Sequence, residues 1–279
     1  MIVLIWIKNE YIYKIGKSNM NICYWNIHKN NETQNDQFDK FLLKMLVDKS
    51  VDLFCVSEFD AFNEKVILDN DYELVDKANC DKVKCYKKRG TKFIQTRIDD
   101  RYAIIEDKSK KILIVCLHAY DAFNYGDDKR LLCMQDIKMN VDEIVKNEAE
   151  TSVFIIGDFN CMPYDTPVIN KDVFNCVLYR NLLYTRAGSN ERYYNPMLLL
   201  LSEDEKIYGS YYSDSIHDKN LRWYLLDQLM VNKNADKIIN YDSIEIITEI
   251  QKNSLLKNNK PDSVNYSDHL PLFFEIKED

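Results

Sequence analysis

Residues 152–157, Ser-Val-Phe-Ile-Ile-Gly, form an almost unbroken apolar run that ends directly in Asp158, Phe159 and Asn160, with Pro163 just beyond. A strand with one wet face alternates apolar and polar side chains, whereas a strand covered on both faces is apolar throughout. Residues 21–25, 51–56 and 111–117 have the same character. A chain with several such strands must place layers on both sides of a sheet.

Strands are expected over 21–26, 51–56, 72–75, 92–97, 102–106, 111–118, 152–157, 223–231, 243–249 and 270–276. Helical spacing occurs in 35–48, through Phe38, Phe41, Leu42, Met45 and Leu46. It recurs in 128–147, through Leu131, Met134, Ile137, Val141, Ile144 and Val145. Strands outnumber helices, which favours stacked sheets with outer helices over a simple doubly wound parallel sheet.

The length of 279 residues, with few glycines and prolines and no low-complexity tract, points to one compact domain over 1–279. Residues 1–19 are expected to be an added hairpin or a misassigned start, because Met20 opens the first strong strand. The tyrosine-rich, polar stretch 184–220 is expected to be a loop-rich insertion at the functional face. The seven-residue apolar run near the start lacks a basic leader and is too short for a signal peptide or a membrane span.

Eight cysteines without a Cys-x-x-Cys pair, several inside apolar runs, fit reduced thiols in a cytoplasmic protein. A net charge of −8 argues against loose polyanion binding over the whole surface. One local exception is Lys82, Lys84, Lys87, Lys88, Arg89 and Lys92, read either as a solvated hairpin around Arg89-Gly90 or as a phosphate-contacting edge.

Chemistry gathers where the strands end. Asn26, Glu58, His118, Asp158, Asn160 and Asp227 stand at the borders of apolar runs, and Asp268 with His269 precedes the last one. Singly, Asn26 reads as a turn cap, His118 as a satisfied core histidine, and Asp268 as a turn residue. Together they are costly, because a buried carboxylate needs a partner or a cation. Asp158 and Asn160, two apart on a strand, are expected to share a face.

The sequence "WN" (25–26), "SE" (57–58), "LH" (117–118), "GDFN" (157–160), "LLDQ" (225–228) and "SDHLP" (267–271), in that order, resembles the endonuclease/exonuclease/phosphatase superfamily, the deoxyribonuclease I-like proteins. The resemblance spans residues 20–276. It implies an α/β fold, a four-layer αββα sandwich of two mainly antiparallel sheets flanked by helices, with the active site at one sheet edge. It implies Glu58, Asn26 and Asp268 as ligands of Mg²⁺, for which Mn²⁺ would substitute. It further implies that Asp158 positions or deprotonates the attacking water and that Asn160 holds a phosphate oxygen. His269 would contact the scissile phosphate, Asp227 would orient it, and His118 would be a second histidine. Ser57 stands where many relatives have glutamine, and "LLDQ" replaces an arginine-containing form.

Oxygen donors of this kind suit Mg²⁺, which takes one or two carboxylates and keeps several waters. The absence of a Cys/His cluster argues against structural zinc. Tyr120, Asn195, Arg89 and Trp223 are candidate substrate contacts, with Arg192, Tyr211, Tyr212 and His217 as further cleft-wall candidates. The expected activity is Mg²⁺-dependent hydrolysis of nucleic acid, DNA before RNA, by a monomer. The alternative substrate is a small phosphoester or a phospholipid headgroup, and a non-catalytic binding protein is the third class.

Overall fold

The computed structural model describes residues 19–28, 36–59, 62–75, 80–148, 150–185, 191–203, 208–215 and 222–278. The expected extra hairpin over 1–19 therefore lies outside the described residues, Asn19 excepted.

One sheet has six strands: β1 (Met20–Asn26), β2 (Leu53–Ser57), β3 (Tyr72–Leu74), β4 (Val83–Lys88), β12 (Ile239–Ile246) and β17 (Leu272–Ile276). Their spatial order is β12-β17-β1-β2-β4-β3. The other has five, β5 (Ile94–Ile98), β6 (Tyr102–Asp107), β7 (Ile112–His118), β8 (Ser152–Asp158) and β11 (Asp227–Val231), in the order β11-β8-β7-β6-β5. Only β1 with β2 and β7 with β8 run parallel; the remaining neighbours are antiparallel. Three small hairpins complete the strands: β9 (Tyr211–Tyr212) with β10 (Trp223–Tyr224), β13 (Glu249–Ile250) with β14 (Asn253–Ser254), and β15 (Leu256–Lys257) with β16 (Lys260–Pro261).

Two long helices cover the outer faces, and the short helices α2 (Lys65–Leu68) and α4 (Thr166–Ile169) lie in the connections. On α1 (Asp36–Asp48), Phe38 and Phe41 lie against Trp25 of β1, with ring centroids 5.1 and 6.1 Å away. On α3 (Ala122–Asn147), Met134, Ile137 and Val141 share a buried cluster with Leu113, Val115 and Leu117 of β7 and with Val153 and Ile155 of β8. The alternate residues, Ile114, Cys116, Phe154 and Ile156, belong to the core between the sheets. Phe154 stacks there on Phe274 at 5.5 Å. Two-sided burial is therefore the reason these strands read as continuous apolar runs. The αββα expectation is met.

Three expectations need correction. The lysine-rich stretch is an internal strand, β4, hydrogen-bonded to β2 and β3. Val83 and Cys85 are buried there, while Lys84 pairs with Glu64 and Lys87 with Glu73. Charges on the half-buried face hid the strand pattern. The run 223–231 is not continuous: it divides into β10 and β11 and so serves two different sheets. Helix α3 starts six residues earlier than its apolar periodicity indicates, with the Asp121 side chain accepting from the Asn124 backbone N–H at 2.7 Å and a non-helical Gly126 within its first turns.

Candidate active site

The C-terminal ends of β1, β2, β7 and β8 and the start of β11 meet at one edge of the sandwich. Parallel pairing aligns Asn26 with Ser57, and His118 with Asp158. Antiparallel pairing sets Asp227 opposite Asp158. Register thus gathers residues within each sheet, and the packing of the two sheets brings the five segments together.

Asn26, fully buried, donates its amide to Glu58 Oε1 and to Asp158 Oδ2, each at 3.1 Å, and so joins the two sheets. His118 Nε2 lies 3.0 Å from Glu58 Oε1 and 3.8 Å from Asp158 Oδ2. His269 Nδ1 bonds to Asp227 Oδ2 at 2.8 Å, and its Nε2 faces Asp158 Oδ2 at 3.9 Å. Asp268 acts electrostatically on both His28 and His269, so its carboxylate borders the cluster.

Scaffold bonds fix these groups. Trp25 Nε1 donates to the His269 carbonyl at 2.9 Å, and Ser267 Oγ bonds to the Asn26 carbonyl at 2.8 Å and accepts from His269 N–H at 3.1 Å. Ser210 Oγ accepts from Asp227 N–H at 2.9 Å. Glu58 and Asn160 both sit in left-handed backbone conformation, at φ +51° and +50°. Such geometry is costly for a glutamate and persists only where the surroundings impose it.

Electrostatics separates the titratable groups. Burial opposes the His269 cation, but the Asp227 carboxylate and its hydrogen bond lift the imidazole to about 10. Burial also raises the Asp158 carboxyl, with the adjacent His269 opposing. Glu58 is driven well below the usual carboxylate range: burial works against ionisation, but the bonds from His118 and His28 outweigh it.

Asn160 lies just past the end of β8, so its neighbourhood with Asp158 comes from a turn and not from strand alternation. Its backbone N–H donates to Asp158 Oδ1 at 2.8 Å and its amide to the Ala119 carbonyl at 2.9 Å. Tyr120 follows Ala119, with the Arg101 guanidinium 4.2 Å from its ring centre and Tyr125 at 4.8 Å. Tyr211 lies on His269, ring centres 4.6 Å apart, and Trp223 packs edge-on to Tyr212 within the same hairpin pair.

Two candidates are bonded within the scaffold. Arg89 follows β4 at the end of the sheet opposite to Ser57 and Glu58, and donates to the Leu68 carbonyl at 3.0 Å. Asn195 is buried, gives its amide to Gln228 at 2.7 Å, and accepts from the Met197 N–H at 3.0 Å where α5 (Met197–Glu203) starts. Arg192 is held by the Leu182 carbonyl at 2.8 Å. His217 lies outside the described residues.

The sequence reading missed His28. Its Nδ1 contacts Glu58 Oε2, and its backbone N–H donates to Asn26 Oδ1 at 3.1 Å. The available signal was its place two residues past Asn26, beside a strand end already chosen.

The donor set fits a divalent cation. Oδ1 of Asp227 and Oδ1 of Asp268 are buried and make no hydrogen bond among the described residues. Buried acceptors of this kind call for a positive partner. Ligand atoms of Glu58, His118 and Asp158 lie within 4.8 Å of one another, as do those of Asp158, Asp227 and His269.

No family model matches the chain, and no curated protein does. Solved structures do. A truncated TDP2 of Caenorhabditis elegans is similar over 93% of this chain and 98% of its own, with 14% identity and a TM-score of 0.60. The human Nocturnin catalytic domain with a bound sulfate anion covers 92% and 93%, with 16% identity and a TM-score of 0.54. A 3′-5′ exonuclease of Neisseria meningitidis covers 93% and 100%, with 12% identity and a TM-score of 0.54. By its two-sheet, helix-flanked architecture and these neighbours, the chain has the deoxyribonuclease I-like fold.

Proposed function

We propose that the protein is a divalent-cation-dependent phosphodiesterase that hydrolyses nucleic acid, DNA before RNA, with Mg²⁺ as the expected ion. The observation that carries this reading is the convergence of Asn26, Glu58, His118, Asp158, Asp227 and His269 at one sandwich edge. The structural neighbours support it: a D. rerio TDP2 of the same fold, 14% identical at a TM-score of 0.58, is described in complex with a single-strand DNA product.

Glu58, Asn26 and Asp268 would hold the cation, which supplies charge neutralisation at the phosphoryl oxygens. Asp158, with its raised carboxyl, is the base that takes a proton from the attacking water as that oxygen bonds to phosphorus and the ester P–O bond breaks. His269, held cationic by Asp227, contacts the phosphate and lowers the cost of its developing charge. Asn160, just past β8, and His118, at the end of β7, position the phosphate oxygens. Tyr120, Tyr211 and Trp223 line the approach.

One observation favours the small-phosphoester alternative: the lysine-rich stretch 82–92 lies largely on an internal strand whose Lys84 and Lys87 are already paired with glutamates, in a chain of net charge −8. Among the described residues no helix is long and apolar enough to cross a membrane.

The test is incubation of the purified protein with plasmid DNA, single-stranded DNA, RNA and a phosphomonoester panel, each with Mg²⁺ or with EDTA. Mg²⁺-dependent, EDTA-sensitive cleavage of a polynucleotide is the expected result. Hydrolysis of monoesters alone would replace the substrate, and no hydrolysis anywhere would remove the reading.

A further inference from the structure

The Glu58 carboxylate lies between two imidazoles. His118 Nε2 stands 3.0 Å from Oε1 and His28 Nδ1 contacts Oε2. The two rings arrive from different sheets, His118 from the end of β7 and His28 from just past β1. His28 is not a packing residue, because half of its side chain is exposed, whereas His118 is almost covered. Its backbone is tied to the site, since its N–H donates to Asn26 Oδ1, and the Asp268 carboxylate acts on its ring. An exposed histidine held by its own main chain against the central carboxylate is placed to coordinate whatever that carboxylate coordinates.

We infer that His28 is a nitrogen ligand of the cation bound at Glu58, and that this nitrogen shifts the site's selectivity from Mg²⁺ toward cobalt, nickel and zinc ions. The inference rests on Glu58 being the metal carboxylate and changes only the selectivity among ions. Mg²⁺ is a hard cation that takes oxygen donors and keeps its waters, whereas imidazole nitrogen favours later divalent ions of the first transition row. The His28 Nδ1 and a Glu58 oxygen would offer the ion one nitrogen and one oxygen donor, with Asp268 as a further oxygen donor.

The metal-free full-length protein, its His28→Ala and His28→Asp variants and a Glu58→Gln control would be titrated with Co²⁺, following the visible d–d bands, and with Mg²⁺ by calorimetry. Wild-type protein should bind Co²⁺ at least about tenfold more tightly than His28→Ala, the lower end of what loss of a metal-supporting group costs. The Co²⁺ bands should move or fade in that variant, and His28→Asp should favour Mg²⁺ relative to wild type. Equal thermal midpoints for wild type and the two His28 variants confirm that folding is not the variable, as the exposure of His28 implies. Identical Co²⁺ affinity and spectrum in wild type and His28→Ala would overturn the inference. So would a ratio of Co²⁺ to Mg²⁺ affinity that is the same in wild type and His28→Ala. Loss of the Co²⁺ signal in His28→Ala with no phosphoester cleaved would uphold the ligand and remove only the proposed activity.

Discussion

His269 and Asp227 form a buried ion pair across a gap of 42 residues in sequence, Nδ1 to Oδ2 at 2.8 Å, and that carboxylate holds the imidazole protonated up to about 10. Asp227→Asn keeps the shape but loses the charge that sustains the cation. Its kcat on whichever phosphoester the wild type cleaves should fall by roughly 10²- to 10⁴-fold, the usual worth of positioned acid–base help. Unchanged turnover would show that the pair has no part in catalysis.

Gly157 sits directly opposite Leu117 in the parallel pairing that also aligns His118 with Asp158. A Cβ there would stand 2.0 Å from the Leu117 carbonyl oxygen, and the backbone φ of +153° is one that side chains rarely adopt. Gly157→Ala should therefore destabilise the fold by about 3 kcal/mol or more, read by urea denaturation. An unaltered midpoint would mean that β7 and β8 can separate without cost.

Phe154 and Phe274 stack between the two sheets at 5.5 Å, both with no exposed surface. Phe154→Ala removes most of that contact and should cost about 3–5 kcal/mol. A loss below about 1 kcal/mol in equilibrium unfolding would show that the inter-sheet core closes over the cavity.

Asp236, buried in the short helix Ala235–Ile238 that follows β11, accepts from Arg180 at 2.6 and 3.1 Å and from Tyr184 and Tyr241. Burial pushes its carboxyl up, but those bonds outweigh it and hold the group below its usual range. A depressed folded-state value means that the stabilisation is complete above the unfolded value of about 4 and disappears as pH falls through the folded value. Asp236→Asn should therefore lose about 1–3 kcal/mol at pH 7. It should also show a shallower loss of stability below about pH 4 than the wild type. Parallel pH profiles for the two proteins would contradict this.

How far the residues could be read without coordinates differs between fold and site. Strands β1, β2, β7 and β8 announce themselves because both of their faces are covered, and a two-faced dry strand leaves an unbroken apolar run. Strand β4 did not, because Lys84 and Lys87 occupy its half-wet face and local composition hides the buried Val83 and Cys85. Asn195 was drawn in by its polar neighbourhood, yet its amide is consumed by Gln228 and by the start of α5.

The sequence by itself determined which side chains stand at strand ends, since the boundary between an apolar run and a polar residue is a local property of the chain. It placed Asn26, Glu58, His118, Asp158, Asp227, Asp268 and His269 there. Only the tertiary structure decided which of them touch. Register between strands far apart in the chain aligned His118 with Asp158 and Asp158 with Asp227. Hydrogen bonds across the sandwich let Asn26 reach both carboxylates. The same three-dimensional closure turned His28, an ordinary residue just past a strand, into a neighbour of Glu58 and left Arg89 at the far end of the sheet. Contacts between separate strands depend on pairing and layer packing, which no local run of residues encodes.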